Sequence, residues 1–529
     1  MRHRRSLLGA MLALAFASTF SLNAAAAAAA PADSGRQIVI DAGAPTTPRD
    51  RAYDLSVGSD YPGTLIRDDS LAQLKIARQE LGFRYIRFHG IFHDVLGTYK
   101  VVDGKPVYNW TKIDYLYDKL LGMGIKPFVE LSFTPEAMKT SDNGIFYWKA
   151  NSSHPVPSQW QGLVDAFVRH IEQRYGKDEV RSWFFEVWNE PNLDGFWEKS
   201  DQKAYFELYD LTAKTIKAID PSLRVGGPST AGAAWIPEFL KHTQGSGAAV
   251  DFITTHTYGV DGGFLDENGK NDNKLLSSPD AIVGDVRKVR KEIEASYLPK
   301  LPLYFTEWST SYSPRDLVHD SYMSAAYILS KLKGTEGIAQ GMSYWTYTDL
   351  FEEPGPPTAP FEGGFGLMNP QGIRKPAWFA YKYLHELGDQ QVQTADAQSW
   401  VTRDAKGVQV LAWDFQTPDQ GNKSNRPFYG VVQPTRDGTP LTLALKGLKP
   451  GTHAVQIYRT GFKANDAHTG YIEMGKPTSL TPAQVGQLQA LTVDKPETRS
   501  VKVAANGTAS VQVPMRANDV VLVKIAPQR

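Results

Sequence analysis

Two glutamates stand at the ends of apolar runs: Glu190 in FFEVWNEPN (184–192) and Glu307 in LYFTEWS (303–309). Two carboxyl groups placed across an acetal carbon can break a glycosidic bond. One delivers a proton to the leaving oxygen, and the other, ionised, attacks the carbon. That division of labour needs different surroundings, because an apolar setting favours the neutral acid. Glu190 lies between Trp188 and Pro191, which assigns it the proton. Asn189 beside it can hydrogen-bond a sugar hydroxyl next to the reacting carbon. A strand-end Glu can instead be an N-cap or a surface acid, but an apolar strand ending in Asn-Glu-Pro and matched by a second such Glu weighs against that.

Other chemistries find little support. Cysteine is absent, which removes disulfides, thiolate nucleophiles and Cys-ligated metals together. His89, His93, His256 and His319 include no i, i+4 pair on one helix and no HExxH, so neither a metal nor any other cofactor is expected. Lys plus Arg (57) balance Asp plus Glu (57), leaving no basic field for nucleic acid. Glu130 ends an apolar run and reads equally as a site residue or an interior barrel carboxylate. Tyr147 and Trp148 sit in a long loop where an aromatic can stack on a sugar or simply pack.

The two acids need a scaffold that brings strand ends together. Apolar runs at 53–59, 83–90, 125–133, 182–191, 224–230, 251–258, 302–309 and 341–349 alternate with stretches of i, i+3, i+4 apolar spacing. Asp69 and Ser158 are placed as N-caps, and Gly82, Gly124 and Gly176 as helix stops. Eight such units predict an α/β fold, a (β/α)8 TIM barrel, over residues 50–389. Its active face would gather His89, Glu130, Asn189, Glu190, Ser229, His256, Tyr258, Glu307, Trp308, Trp345 and Asp349. After residue 389 the period becomes two, with Gly, Pro and Asn between runs, predicting an accessory C-terminal β-sandwich domain over 390–529. RQIVIDAG (36–43), within an N-terminal segment at 34–49, is expected to pair with that sandwich. MRHRR, an apolar run and an alanine-rich stretch predict a signal peptide at 1–33 and a periplasmic or secreted protein. Arg4-Arg5 leaves the general secretory and twin-arginine routes both open. No other run is long and apolar enough to cross a bilayer.

FFEVWNEPN and LYFTEWSTSYSP resemble the acid/base and nucleophile motifs of retaining glycoside hydrolases with acids on barrel strands four and seven. More narrowly, IRFHGIFHD, THTYG, YWTYTDLFEE and GGFGLMNPQGIRKPAWFAYKYL resemble the β-xylosidase branch of glycoside hydrolase family 39. The likeness runs from about residue 50 to 390 and more weakly through IYRTGFKANDAHTGYIEMGKPTSLT. It implies Glu190 as acid/base and Glu307 as nucleophile. It implies a glycone pocket lined by His89 and Asn189, with His256 and Tyr258 opposite and Trp345 as floor. Tyr258 would orient the nucleophile, and Glu352 and Glu353 would grip sugar hydroxyls. Two carboxylates there suit a pentose better than a uronic acid, because like charges repel. One departure is Glu362 in PFEGGFG, where the resemblance leads one to expect His. The implied activity is retaining exo-hydrolysis of β-linked xylose from xylo-oligosaccharides, and an oligomer is compatible with it. The rivals are an iduronidase-like enzyme, an arabinosidase, an exopolysaccharide endo-hydrolase, a metal hydrolase, or a non-catalytic carbohydrate-binding barrel.

Overall fold

Eight short apolar segments pair side by side into a closed parallel barrel. They are β1 (Ser56–Ser59), β2 (Tyr85–Phe88), β3 (Lys126–Leu131), β4 (Phe184–Val187), β5 (Arg224–Thr230), β6 (Phe252–Tyr258), β7 (Leu303–Ser309) and β8 (Gly341–Tyr344). Each leads into a covering helix: α1 (Asp68–Leu81), α2 (Thr111–Gly122), α3 (Pro157–Tyr175), α4 (Gln202–Ile219), α5 (Ile236–Ser246), α6 (Val283–Glu294), α7 (Met323–Thr335) and α8 (Pro376–His385). The barrel expected from the alternation is therefore present. The computed structural model describes residues 35–528, so the expected leader at 1–33 lies outside the described residues. Among those described, no helix is long and apolar enough to cross a membrane.

Helix ends follow local chemistry. α1 stops at Gly82, whose φ of 80° is the left-handed cap conformation that a side chain resists. The starts differ from expectation. Asp69 and Ser158 lie inside first turns, because Arg67 holds the cap position of α1 and Pro157 occupies the first helical position of α3.

Inward side chains alternate along each strand and so fill the barrel in layers. The lowest layer is aromatic: Phe128, Phe184 and Phe252 with Tyr85 and Tyr304. The Phe184 ring lies 4.6 Å from Phe128 and 5.2 Å from Tyr304, with the Arg224 guanidinium 3.6 Å from its centre. Two residues further along the same strands the layer turns polar, with Arg87, Glu130, Glu186 and Thr306 all buried. The site is built on that layer.

Beyond α8 two sheets face each other across a separate apolar core. Strand Arg36–Asp41 lies parallel to Leu441–Lys446 in the three-stranded sheet, and it sends Ile38 and Ile40 into that core. The seven-stranded sheet takes in Thr46–Pro48 through Gln390–Val392. This sheet rests on α7, where the indole N–H groups of Trp400 and Trp413 donate to Glu336 and Ser330 at 3.0 and 3.1 Å. Higher up, Asn425 accepts from the Leu275 amide at 3.0 Å and donates to Asp316 at 2.8 Å. Those bonds hold the hairpin Val260–Leu265 and Asn271–Leu275 over the barrel mouth.

Phe184→Ala tests the aromatic layer. Opening a cavity in a close-packed interior is expected to cost about 3–5 kcal/mol, read from the urea midpoint of the folded chain. An unchanged midpoint would mean that this layer contributes little.

Candidate active site

The site starts from one strand. β2 presents Tyr85, Arg87 and then His89 to the interior by simple alternation. Arg87 is fully buried, and its fork reaches several groups at once. Nε donates to Glu186 at 2.5 Å, Nη1 to Glu307 at 2.7 Å and Nη2 to Asn189 Oδ1 at 2.8 Å. Glu130 lies 2.9 Å from Nη2. Burial opposes the Arg87 charge, but Glu186, Glu130 and Glu307 outweigh it and raise its pKa.

Glu307 reaches the pocket because β7 is irregular. His256 pairs with Glu307 while Thr255 pairs with Phe305, so one extra residue is accommodated at Thr306. A bulge of this kind re-aims side chains, and both Thr306 and Glu307 contact interior groups. Glu307 accepts from Arg87 at one oxygen and from the Tyr258 hydroxyl at the other, 2.8 Å away. Tyr258 keeps its proton, since burial and then the Glu307 charge push its pKa well up.

Glu190 is placed differently. β4 ends at Val187, and the chain turns with φ of 71° at Trp188 and 47° at Glu190. Left-handed backbone at non-glycine residues is costly and clusters at functional sites. The amide of Glu190 donates to the Ser229 carbonyl at 2.8 Å, and Ser229 is itself at φ 54°. Burial raises the Glu190 pKa to about 7, with the positive charges of His89 and Arg87 pulling the other way. His256 Nδ1 lies 2.8 Å from Glu190 Oε1. Burial also lowers the His256 pKa to about 4, so this ring is neutral at pH 7.

A third group surrounds His89. Its Nδ1 lies 2.7 Å from Glu130 and its Nε2 3.1 Å from Glu353. Burial works against the imidazolium, yet Glu130 dominates and the His89 pKa stands well above its ordinary value. Burial pushes Glu353 up to about 8 and Asp60 up to about 7, both against the pull of His89.

His89, Asn189, Glu190, Tyr258, Glu307, Trp345 and Glu353 line one cavity of about 470 Å³. That volume suits a small ligand. Leu193, Phe196, Val260 and Tyr312 add apolar surface to its wall. Asn189 carries a buried Nδ2 with no protein partner, while Arg87 fixes its Oδ1. A buried donor left unpaired is costly, and a ligand hydroxyl facing it would satisfy it. Trp345 forms part of the wall because Gly58 on β1 has no Cβ; one there would overlap the indole. Glu190, His256 and Glu307 each offer an atom within 4.8 Å of the others. By residue type that trio could ligate a metal, but Arg87 and Tyr258 already donate to both Glu307 oxygens.

Some expected residues are not brought in. Glu352 does not line the cavity; its carboxylate accepts from Arg67 at 3.0 Å. His256 sits behind Glu190 and makes contact through it. Glu362 accepts from Thr358, with Arg315 at 3.4 Å. His93 contacts the Trp148 carbonyl and His319 the Gly363 carbonyl, so neither joins a cluster. Trp148 is a packing residue, stacked on Tyr61 at 4.4 Å and donating to Asp60 at 3.0 Å, and Tyr147 is exposed. Glu130 is in the cluster, bonded to His89. The residues that sequence reasoning passed over are Arg87, Glu186 and Thr306. Arg87 had a signal, since it stands two positions before His89 and shares its face.

A match to the family described as Glycosyl hydrolases family 39 spans residues 36–510. A β-xylosidase of Caldicellulosiruptor saccharolyticus is 36% identical over 472 residues, covering 89% of this chain and 94% of its own. A β-xylosidase of Geobacillus stearothermophilus is 40% identical over 372 residues, covering 69% and 74%. The crystal structure of a monomeric β-xylosidase from Caulobacter crescentus superposes with a TM-score of 0.91 at 65% identity, covering 93% of this chain and 100% of that one. This chain belongs to glycosyl hydrolase family 39 and is a glycoside hydrolase.

Proposed function

We propose an exported, exo-acting β-xylosidase that releases β-linked xylose from xylo-oligosaccharides with retention, using Glu190 and Glu307. The observation that carries this is the pair itself. The two carboxyls offer oxygens within 4.8 Å of each other, and their surroundings are opposite in kind. Such closeness matches attack by one carboxylate rather than room for an intervening water, which needs about 6.5–9.5 Å. The β-xylosidase relatives support the substrate class, and the charged N-terminus followed by an apolar run supports export.

In this reading Glu307, oriented by Tyr258 and Arg87, attacks the anomeric carbon. Glu190 gives its proton to the departing oxygen. The resulting carboxylate then takes a proton from water, which attacks from the face the leaving group vacated. Asn189 Nδ2 meets the adjacent hydroxyl, and Glu353 and His89 take others. A uronic acid would bring a further carboxylate into a pocket that already holds Glu130, Glu186 and Glu307 around Arg87, so a neutral pentose fits better.

Three experiments test this reading, the first on the two acids themselves. Glu307→Ala is expected to stop every substrate. Glu190→Ala should still load from a dinitrophenyl β-xyloside and release the sugar slowly, showing a burst. Azide should restore turnover in Glu190→Ala as the β-glycosyl azide; the opposite anomer there would reverse the assignments.

The second is pH. The proton on Glu190 is needed for an alkyl xyloside, so kcat/KM should hold below pH 7 and fall about tenfold per unit above it, following a pKa of about 7. A dinitrophenyl leaving group needs no proton, and its first step should lack that limb, which separates Glu190 from Glu353 and Asp60. A limb shared by both substrates would assign the titration elsewhere.

The third separates two neighbours. Glu353→Gln should lower kcat/KM on an aryl β-xyloside by about tenfold, the worth of one buried hydrogen bond. Glu352→Gln, whose partner is Arg67, should stay within about threefold. Equal losses would put Glu352 in the sugar site.

A further inference from the structure

We propose that Thr306 and Glu186 are positioning residues that lock the tautomer of His256, so that Nδ1 turns a lone pair rather than an N–H to Glu190 and the neutral carboxyl is favoured over the carboxylate. The inference rests on Glu190 being the acid. Glu186 accepts from Arg87 at 2.5 Å with one oxygen and from the Thr306 hydroxyl at 2.7 Å with the other. A carboxylate only accepts, so the one hydroxyl proton of Thr306 is committed to Glu186. Thr306 Oγ1 also lies 3.2 Å from His256 Nε2. With its proton spent, that oxygen presents only lone pairs, and Nε2 must carry the hydrogen.

A neutral imidazole has one N–H, so Nδ1 is then an acceptor. The group 2.8 Å from Nδ1 is Glu190 Oε1, which must supply the proton between them until a bound substrate draws it to the leaving oxygen. Ser229 Oγ, 3.4 Å from Nε2, offers the competing arrangement, in which its hydroxyl donates to a bare Nε2. That would set the Thr306 lone pairs against the Nε2 lone pair across the shorter contact. Ser229 already accepts from Arg87 and can accept from Nε2 as well.

The charged and titratable groups facing this chain are Arg87 and His89 from β2, Glu130 from β3, Glu186 from β4, and Tyr258 and Glu307 from β6 and β7. Glu307 Oε2 lies 3.5 Å from Nδ1, but Tyr258 donates to that oxygen, so Nδ1 is not needed there. The lock also bears on the second half of catalysis. Once Glu190 has given up its proton, its carboxylate faces a lone pair, which makes it a better base toward water.

Thr306→Val removes the hydroxyl at constant shape, and Thr306→Ser keeps it. With 15N-labelled histidine, the His256 signals, identified by their loss in His256→Gln, should show Nε2–H with bare Nδ1 in the wild type and in Thr306→Ser. In Thr306→Val the ring is free to place its hydrogen on Nδ1 and stabilise the Glu190 carboxylate. The alkaline limb for an alkyl xyloside should then move down by about one pH unit, with roughly tenfold lower kcat/KM at pH 7.5 and little change for the first step with a dinitrophenyl xyloside. Nδ1–H or imidazolium in the wild type overturns the lock, even should Thr306→Val not fold. A Thr306→Val limb at the wild-type position also overturns it. A wild type with no alkaline limb but with Nε2–H would instead sink the assignment of Glu190 as the acid.

Discussion

One buried guanidinium organises this site. Arg87 sits at the barrel axis with Glu186, Glu307, Asn189 and Glu130 all within hydrogen-bonding distance, and none of its charge reaches solvent. Taking such a charge out of water costs several kcal/mol, and only well-placed carboxylates recover it. They recover it here in excess. Arg87 and His89 are the cations, while Glu130, Glu186 and Glu307 accept their bonds. Further negative charge in the same space is unfavourable, and burial leaves Glu190 and Glu353 with pKa values near 7 and 8. Burial is the larger cause, since His89 and Arg87 pull Glu190 down and His89 pulls Glu353 down.

Placing so many polar groups on strand ends requires breaking strand regularity. A strict period of two would send Thr306 and Glu307 to opposite faces; the bulge in β7 lets both contact the interior. Ser229 is likewise the extra residue where β5 shifts register against β6, and its carbonyl receives the Glu190 amide. The left-handed turns at Trp188 and Glu190 complete the arrangement. These positions are unfavourable alone, and the turn is packed in, with Trp188 buried against Phe133, Trp160 and Trp197.

What could be read in the sequence follows from this division. Eight apolar runs alternating with amphipathic helices specify the barrel, because burial on both faces and helical periodicity leave direct marks on residue order. Trp188-Asn-Glu-Pro marks a strand end, since nothing apolar continues through it. Residues 352 and 353 show where such reading stops. Two adjacent acids on an irregular loop look interchangeable in a string, yet Glu353 reaches His89 and Glu352 reaches Arg67. Thr306 follows Tyr304 by plain alternation; what the string hides is the bulge that brings Glu307 in beside it, because a bulge depends on the neighbouring strands. Arg87 was readable in principle, but a lone cation inside an apolar strand looks like an exception until the carboxylates around it are counted.

The same cation also breaks the symmetry of the acid pair. The two carboxyls offer oxygens within 4.8 Å of each other, yet their hydrogen-bond partners differ. Here each is tied to Arg87 by a different route. Glu307 receives the guanidinium directly at one oxygen and the Tyr258 hydroxyl at the other. Glu190 is reached only through Glu186, Thr306 and His256, a path that inverts the polarity at each hydroxyl and ring and ends in an acceptor. Arg87 thus bonds Glu307 directly, while at Glu190 burial outweighs its through-space pull and leaves that carboxyl near 7.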